Sequence, residues 1–195
     1  MTGGHDGPGE TPQGALEVGV SFRRLTDDDL PTMHRWLNEP GVVRWWEGND
    51  VSWDGVVGDY GSASTDPEEH WIASVDGRDL GWIQCGAPVN WPDESVAWAG
   101  LGVDLASTAG IDYLIGDAAD RGRGLGSTMI RAFVDRVVFG LHPEWNHAGA
   151  DPLAANTASW RALEKAGWPA LLTPSTAPAG SWSWTAADHH PLSRR

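Results

Sequence analysis

A glycine-rich segment, residues 121–126 (RGRGLG), has the composition of a binding site for an anion. Glycine allows a ligand to approach the backbone closely and adopts positive φ angles without strain. The segment lies between a predicted strand that ends near Gly116 and a predicted helix, whose first N–H groups carry partial positive charge. Such a turn suits a pyrophosphate, and the side chains of Arg121 and Arg123 add positive charge to it.

The spacing of these glycines does not fit the two best-known phosphate motifs. Gly122, Gly124 and Gly126 are each two residues apart, which departs from the G-x-G-x-x-G pattern of dinucleotide-binding folds. No Lys-Ser or Lys-Thr pair follows, as a P-loop would require. Taken alone, the segment is therefore either an anion-binding loop or an ordinary turn before a helix.

The overall charge points to the class of partner. The chain has 195 residues, which suits one domain with a sizeable core, and its formal net charge is −14 from 27 acidic and 13 basic residues. This balance disfavours nucleic acids and anionic membranes as partners, because both require clustered Lys and Arg. It is compatible with a cationic small-molecule substrate, or with acidity that serves solubility alone.

The chain divides into one domain and two short ends. Residues 1–18, rich in Gly, Pro and polar types, are expected to be a disordered leader, residues 19–188 a single domain and residues 189–195 a tail. The leader lacks the basic and apolar regions of a signal peptide. Cys85 is the single cysteine, which rules out an internal disulfide and fits a reducing compartment. We expect a cytoplasmic protein, monomeric or homodimeric.

Tryptophan is unusually abundant, with 13 Trp beside 2 Tyr and 3 Phe. Trp45, Trp46, Trp91 and Trp98 lie outside any obvious core pattern. Trp residues in loops can line a cleft for sugars or cations, because the indole combines a large apolar face with one N–H donor. Ordinary packing is the alternative for each of them.

The elements that must position these residues follow from periodicity and turn signals. A broad apolar stripe from Leu125 to Val138 predicts a long amphipathic helix directly after the glycine-rich turn. A second helix is predicted over 156–166, and the capping-box pattern of residues 26–29 predicts a third. The remaining expectations are strands at 19–25, 71–75, 80–85, 111–116, 147–150, 170–172 and 181–184, irregular or short helical structure at 42–60, and a loop at 86–95. This order favours an α+β or α/β domain around one mostly antiparallel sheet.

Two segments resemble the sequence signatures of the GNAT superfamily of N-acetyltransferases. Arg121-x-x-Gly124-x-Gly126 is similar to the family's (Gln/Arg)-x-x-Gly-x-(Gly/Ala) turn, and Asn156 followed by residues 161–168 (RALEKAGW) is similar to its second motif. The resemblance implies an α+β GNAT fold with a splayed central strand pair, flanked by helices, and acetyl-CoA as the co-substrate without a metal. The cofactor-binding residues that it implies are Tyr113, Leu114, Ile115, Arg121, Gly122, Arg123, Gly124, Leu125, Gly126, Ser127, Thr128 and Asn156.

The resemblance narrows to the aminoglycoside 6'-N-acetyltransferases over about residues 21–168. Residues 110–116 (GIDYLIG), 150–152 (ADP), 43–46 (VRWW) and 81–84 (GWIQ) are similar to that subgroup. It implies acetylation of the 6'-amine of an aminoglycoside, conferring antibiotic resistance. Two alternatives stay open. One is another small-molecule or lysine-type N-acyltransferase, such as a siderophore-assembly enzyme. The other is a catalytically weak protein that binds acyl-CoA or the antibiotic.

The same resemblance assigns roles to acidic and aromatic residues. A carboxylate can attract a protonated amine and take its proton, and Asp112 is the expected base, with Asp151 as the substrate anchor, although these roles can be exchanged. Backbone N–H groups of residues 113–115 are the expected donors to the oxyanion. Trp46, Tyr60, Gln84 and Asp93, the last beside Glu94, are the remaining expected substrate-binding residues.

One position departs from the family pattern. Many members have a Tyr directly before Glu-Lys as the general acid for the leaving thiolate, and this chain has Leu163 there. Leucine cannot donate a proton, and Ser159 and Tyr113 are the candidate substitutes. No metal site is expected, because His142 and His147 are too far apart and lack further ligands at suitable spacing.

Overall fold

A six-stranded sheet, with its strands in sequence order, organises the computed structural model, which describes residues 19–46, 48–169 and 184–186. All neighbouring strands are antiparallel except the fourth and fifth, which are parallel. The strands are β1 (Val20–Arg24), β2 (Glu69–Val75), β3 (Arg78–Gly86), β4 (Thr108–Ile115), β5 (His147–Ala150) and β6 (Trp184–Ala186).

Seven α-helices accompany these strands in the described part of the chain. They are α1 (Leu30–Leu37), α2 (Pro40–Val43), α3 (Trp53–Tyr60), α4 (Pro92–Gly100), α5 (Leu125–Phe133), α6 (Phe139–Leu141) and α7 (Thr157–Ala166). A π-helical turn, Val134–Val138, joins α5 to α6, so the predicted amphipathic helix continues to Leu141. No helix among the described residues is long and apolar enough to cross a bilayer.

The parallel pair β4 and β5 separates part of the way along its length. Their pairing covers only residues 108–110 of β4, opposite residues 147–149 of β5. On its other side, β4 remains paired with β3 as far as Ile115, opposite Gly81. A wedge therefore opens between β4 and β5 beyond Gly110, and the expected splayed strand pair is confirmed.

Both faces of the sheet are buried, so the strands have nearly continuous apolar sequences. Successive side chains of a strand point to opposite faces. Trp71 and Ala73 of β2 therefore join the core beneath α5 and α7, whereas Ile72 joins the core beneath α1 and α3. Ile83 and Trp82 of β3 divide in the same way.

The largest difference from the sequence expectations concerns residues 86–95. A loop was expected there because the segment contains Pro and Asn, but α4 begins at Pro92 and runs to Gly100. Proline fits the first turn of a helix, where its missing N–H would have no partner, so it marks a helix start here. The other expected elements occur with small shifts. The expectations for residues 1–18, 170–172, 181–183 and 189–195 fall outside the described residues.

The start of α1 depends on one buried carboxylate. Asp29 accepts two hydrogen bonds from the guanidinium of Arg23 (2.6 and 2.7 Å) and one from the backbone N–H of Thr26 (2.9 Å). Burial opposes the charge of Asp29, but these hydrogen bonds outweigh it and hold the pKa of the carboxyl below its usual value.

Replacing Asp29 with Asn should lower the free energy of unfolding by about 1.5–3 kcal/mol at pH 7, the usual contribution of a hydrogen bond to a charged group. Because the folded-state pKa is depressed, this stabilisation is present above the unfolded pKa and is lost as the pH falls through the folded one. Urea unfolding should therefore show a large difference between the two proteins at pH 7 and a smaller one near pH 3. Asp28→Asn, at an exposed neighbouring position, should change stability by less than about 0.5 kcal/mol.

Candidate active site

A cavity of about 380 Å³ lies where β4 and β5 separate, and its walls are strongly acidic. None of its described lining residues is Lys, Arg or His. A cavity of this size accommodates a small molecule, and its charge suits one that carries several ammonium groups. Its carboxylates are those of Asp59, Asp66, Glu68, Asp112 and Asp151.

Aromatic side chains supply the rest of this acidic cavity. Gly110 and Gly149 make room for two of them, because a Cβ atom at either glycine would collide with the indole of Trp91 or Trp98, respectively. The indole N–H groups of Trp82 and Trp98 are buried and have no acceptor among the described residues. The aromatic lining consists of Trp46, Tyr60, Trp82, Trp91, Trp98 and Tyr113.

Two acids on α3 and the following loop sit in partly desolvated positions. Burial, together with neighbouring acids, raises the pKa of Asp59, and burial raises the pKa of Asp66. His70 stacks on Trp82 with ring centroids 5.8 Å apart, and burial lowers the pKa of the imidazole. The imidazole is thus neutral at pH 7, and its place next to the cavity adds no positive charge there.

Asp112 and Asp151 stand on opposite sides of the wedge. Asp112 lies in β4 opposite Gln84 of β3, and its carboxylate accepts a hydrogen bond from the backbone N–H of Tyr113 (2.8 Å). Asp151 directly follows the last residue of β5. The Gly116 N–H, directly after β4, donates to the carbonyl oxygen of Leu80 in β3 (3.0 Å). Because successive N–H groups of a strand alternate between its two sides, the amides of Ile115 and Tyr113 face away from β3, on the open side of β4.

A second cavity, of about 440 Å³, has the opposite charge and adjoins the first. Its cations are Arg44, Arg121, Arg161 and Lys165. Trp46, Tyr113 and Ser159 line both cavities, so the two meet at a common wall. We call the second cavity the cationic cleft.

The glycine-rich turn forms one end of the cationic cleft. Gly122 and Gly124 have φ angles of +73° and +82°, and Gly124 is the N-cap of α5. The backbone thus turns in a conformation that only glycine adopts without strain, and it points the first amides of α5 towards the cleft. A long ligand with an anionic part near α5 and an uncharged arm along β4 would reach the acidic cavity.

The two arginines of the turn are already paired within the protein. Arg121 forms an ion pair with Glu39 and donates to the carbonyl oxygens of Ile115 (3.2 Å) and Gly116 (2.7 Å), so it ties α2 and the end of β4 to the turn. Arg123 pairs with Asp120 at 3.3 Å.

Most, but not all, residues expected to hold a cofactor line the cationic cleft. Arg123, Leu125 and Thr128 lie outside its lining, and the hydroxyl of Thr128 donates to the Gly124 carbonyl oxygen (3.3 Å). The expected residues within the lining are Tyr113, Leu114, Ile115, Arg121, Gly122, Gly124, Gly126, Ser127 and Asn156. Among the expected substrate residues, Trp46, Tyr60, Gln84 and Asp151 line the acidic cavity, as does Asp112. The side chain of Asp93 lies outside the described residues.

Sequence reasoning missed several lining residues. Arg161 and Lys165 are four apart on α7 and share one face with Ala158 and Ala162. No comparable pattern marks Asp59, Asp66, Glu68 or Arg44, whereas Trp98 was among the four Trp residues considered for a cleft and does line the acidic cavity.

A third cluster lies apart from both cavities. Glu69, Cys85 and His142 place one ligand-type atom each within 4.8 Å of one another. Burial raises the pKa of the Cys85 thiol to about 12, and Arg24 pairs with Glu69 (2.5 Å). A protonated thiol and an adjacent guanidinium both oppose cation binding at this position.

Comparison with protein families finds one that spans most of the chain. The model of the acetyltransferase (GNAT) domain matches residues 26–171. The aminoglycoside N(6')-acetyltransferase type 1 of Klebsiella pneumoniae is 29% identical over 160 residues, which cover 76% of this chain and 73% of that protein.

Solved structures with a similar fold include two complexes of an aminoglycoside acetyltransferase. The aminoglycoside acetyltransferase AAC(6')-Ib in complex with coenzyme A and kanamycin has a TM-score of 0.69 and 26% identity, covering 86% of this chain and 94% of that one. AAC(6')-Ib in complex with paromomycin and acetyl-CoA has a TM-score of 0.69 and 27% identity, covering 85% and 92%.

Proposed function

The chain belongs to the GNAT acetyltransferase family, and from this premise we propose that it transfers an acetyl group from acetyl-CoA to the 6'-amine of an aminoglycoside antibiotic. This reaction would confer resistance in the cytoplasm, where acetyl-CoA is available. The observation that carries the proposal is the pair of oppositely charged cavities with a common wall. One suits a polycation, and the other suits the phosphates and the uncharged arm of coenzyme A.

The cationic cleft supports acetyl-CoA binding through the turn before α5. Free amides at the start of α5 would hold the pyrophosphate, and the cations of the cleft would neutralise its charge. The open side of β4 would pair with the pantetheine arm, because the pairing of β4 with β5 ends at Gly110. Arg123, Leu125 and Thr128 remain proposed contacts from the motif alone.

Acetyl transfer needs a neutral amine and a stabilised oxyanion. We assign to Asp112, which lies on β4 beside the common wall, the role of the base that accepts a proton from the substrate ammonium. The free amine then attacks the thioester carbonyl, and backbone amides on the open side of β4 would stabilise the oxyanion. Asp151 would hold a second ammonium on the opposite side of the wedge. Trp46, Tyr60, Gln84 and Asp93 are the other proposed substrate contacts.

The experiment is a thiol-release assay with acetyl-CoA and a panel of amines. We expect release with kanamycin, tobramycin and neomycin, and little with lysine or spermidine. Paromomycin is the matched control, because it carries a hydroxyl where neomycin carries the 6'-amine. Release with lysine instead would indicate a lysine-type acyltransferase. Tight aminoglycoside binding without any thiol release would indicate a sequestering protein and overturn the proposal.

A further inference from the structure

The position of the family's general acid is closed to the reaction in this chain. Leu163 lies on α7 and is 0% exposed, packed in the core beneath α5 and α7. It lines neither cavity among the described residues. Leu163 therefore supplies no proton to the departing thiolate.

A hydroxyl pair lies one helical turn away. Ser159 precedes Leu163 by four residues on α7, so it occupies the next place along the same face. Its Oγ is 2.7 Å from the hydroxyl oxygen of Tyr113, which reaches across from β4. Tyr113 and Ser159 are two of the three residues that line both cavities.

We propose that Tyr113 donates the proton to the sulfur of coenzyme A as the thiolate leaves, and that Ser159 is the positioning residue that holds its hydroxyl. This assignment rests on the proposed acetyltransferase function. It places the donor on the strand that carries Asp112, whereas the family pattern places it on the helix.

The surroundings keep Tyr113 in the protonated form that a donor requires. Burial raises the pKa of its hydroxyl, the hydrogen bond with Ser159 opposes that rise, and the charge of Asp112 adds to it. The same loss of solvent disfavours the thiolate and makes it a stronger base than in water. Because loss of solvent raises the pKa of the phenol and of the thiol alike, burial does not by itself oppose proton transfer from phenol to sulfur.

The protons and electrons of the step balance. The C–N bond forms, the C–S bond breaks and its electron pair leaves on sulfur, which takes the Tyr113 proton. The Ser159 hydroxyl rotates to donate to the phenolate oxygen while it is charged. The substrate nitrogen loses two protons, one from the ammonium to Asp112 before the attack and a second from the tetrahedral intermediate to solvent. One of these restores the phenol through solvent, so overall one proton moves from nitrogen to sulfur and one is released to solvent.

The test is Tyr113→Phe, which keeps the ring and removes the hydroxyl. We expect kcat with acetyl-CoA to fall about 10- to 100-fold, below the usual range for general acids because a thiolate is a tolerable leaving group. The dissociation constant for coenzyme A should stay within about twofold. Ser159→Ala should lower kcat about 3- to 10-fold, and Ser159→Thr should restore most of it.

A change of leaving group separates a proton donor from a residue that merely shapes the site. An aryl thioester such as S-acetylthiophenol releases a weakly basic thiolate that needs no acid. The ratio of wild-type to Tyr113→Phe kcat/KM should therefore approach one with this donor. Tyr60→Phe is the matched control: this Tyr lines only the acidic cavity, and any loss should be equal with both donors.

The outcomes are distinct. Full activity of Tyr113→Phe with acetyl-CoA, or an equal loss with both donors, would overturn the assignment and leave the proposed function intact. A wild-type protein that releases no thiol with any amine would remove the proposed function, and this assignment with it.

Discussion

The Asp112→Asn enzyme should lose about 100- to 10,000-fold in kcat at pH 7 while it keeps its fold and its affinity for acetyl-CoA. The amide has the shape of the carboxylate, and its oxygen can still accept the hydrogen bond from the Tyr113 backbone N–H. What it cannot do is take a proton from the substrate ammonium. Steady-state kinetics with kanamycin, combined with coenzyme A titration, measures both parts of this expectation.

The pH dependence of that loss gives a second readout. At higher pH a larger fraction of the amine is already neutral, so the rate depends less on a base that deprotonates it. The ratio of wild-type to Asp112→Asn activity should therefore fall between pH 7 and pH 9. Asp54→Asn is the matched control, because Asp54 is exposed on α3, lies outside both cavity linings and carries the same charge. If Asp151→Asn lowers kcat and Asp112→Asn only raises KM, the two roles are exchanged.

Gly124→Val should weaken coenzyme A binding about 10- to 100-fold. Gly124 has a φ of +82° at the N-cap of α5, and a β-branched residue is strained there by about 1–3 kcal/mol. The turn would relax towards negative φ and swing the first amides of α5 away from the cleft. Isothermal titration with coenzyme A, followed by thermal unfolding, separates the binding loss from any loss of stability.

Gly77→Val is the control for strain alone. Gly77 has a φ of +76° in the β2–β3 turn, and a Cβ atom there would meet no neighbour within 4 Å. Gly77→Val should lower the free energy of unfolding about as much as Gly124→Val does, while the dissociation constant for coenzyme A stays unchanged. Equal coenzyme A affinity in the two variants would show that the turn before α5 does not hold the ligand.

The parts of the site that the sequence could predict are those built from contiguous motifs. The turn before α5, the cap at Asn156 and the acids in or directly after strands all depend on local spacing. Local signals suffice there because one strand–turn–helix unit fixes their geometry.

The remaining walls could not be read from the sequence, since they depend on packing between distant segments. Asp59 and Asp66 reach the acidic cavity only because α3 packs beside β2 and β3 on one face of the sheet. For Trp98 the sequence left cleft lining and ordinary packing as alternatives. It reaches the cavity because α4 begins at Pro92, within a segment expected to be a loop, and because Gly149 leaves room for the indole. Neither relation has a signature within a window of ten or fifteen residues.

The lack of any cation among the described lining residues of the acidic cavity also bears on how the product departs. Acetylation turns an ammonium into a neutral amide, so the acetylated antibiotic carries one positive charge fewer than the substrate. One unit charge at about 4 Å from a carboxylate corresponds to about 1–4 kcal/mol in water-like to surface-like surroundings. Acetylation therefore weakens the attraction between the antibiotic and the five carboxylates. The acidic walls bind the substrate more tightly than the product, which favours release of the acetylated molecule.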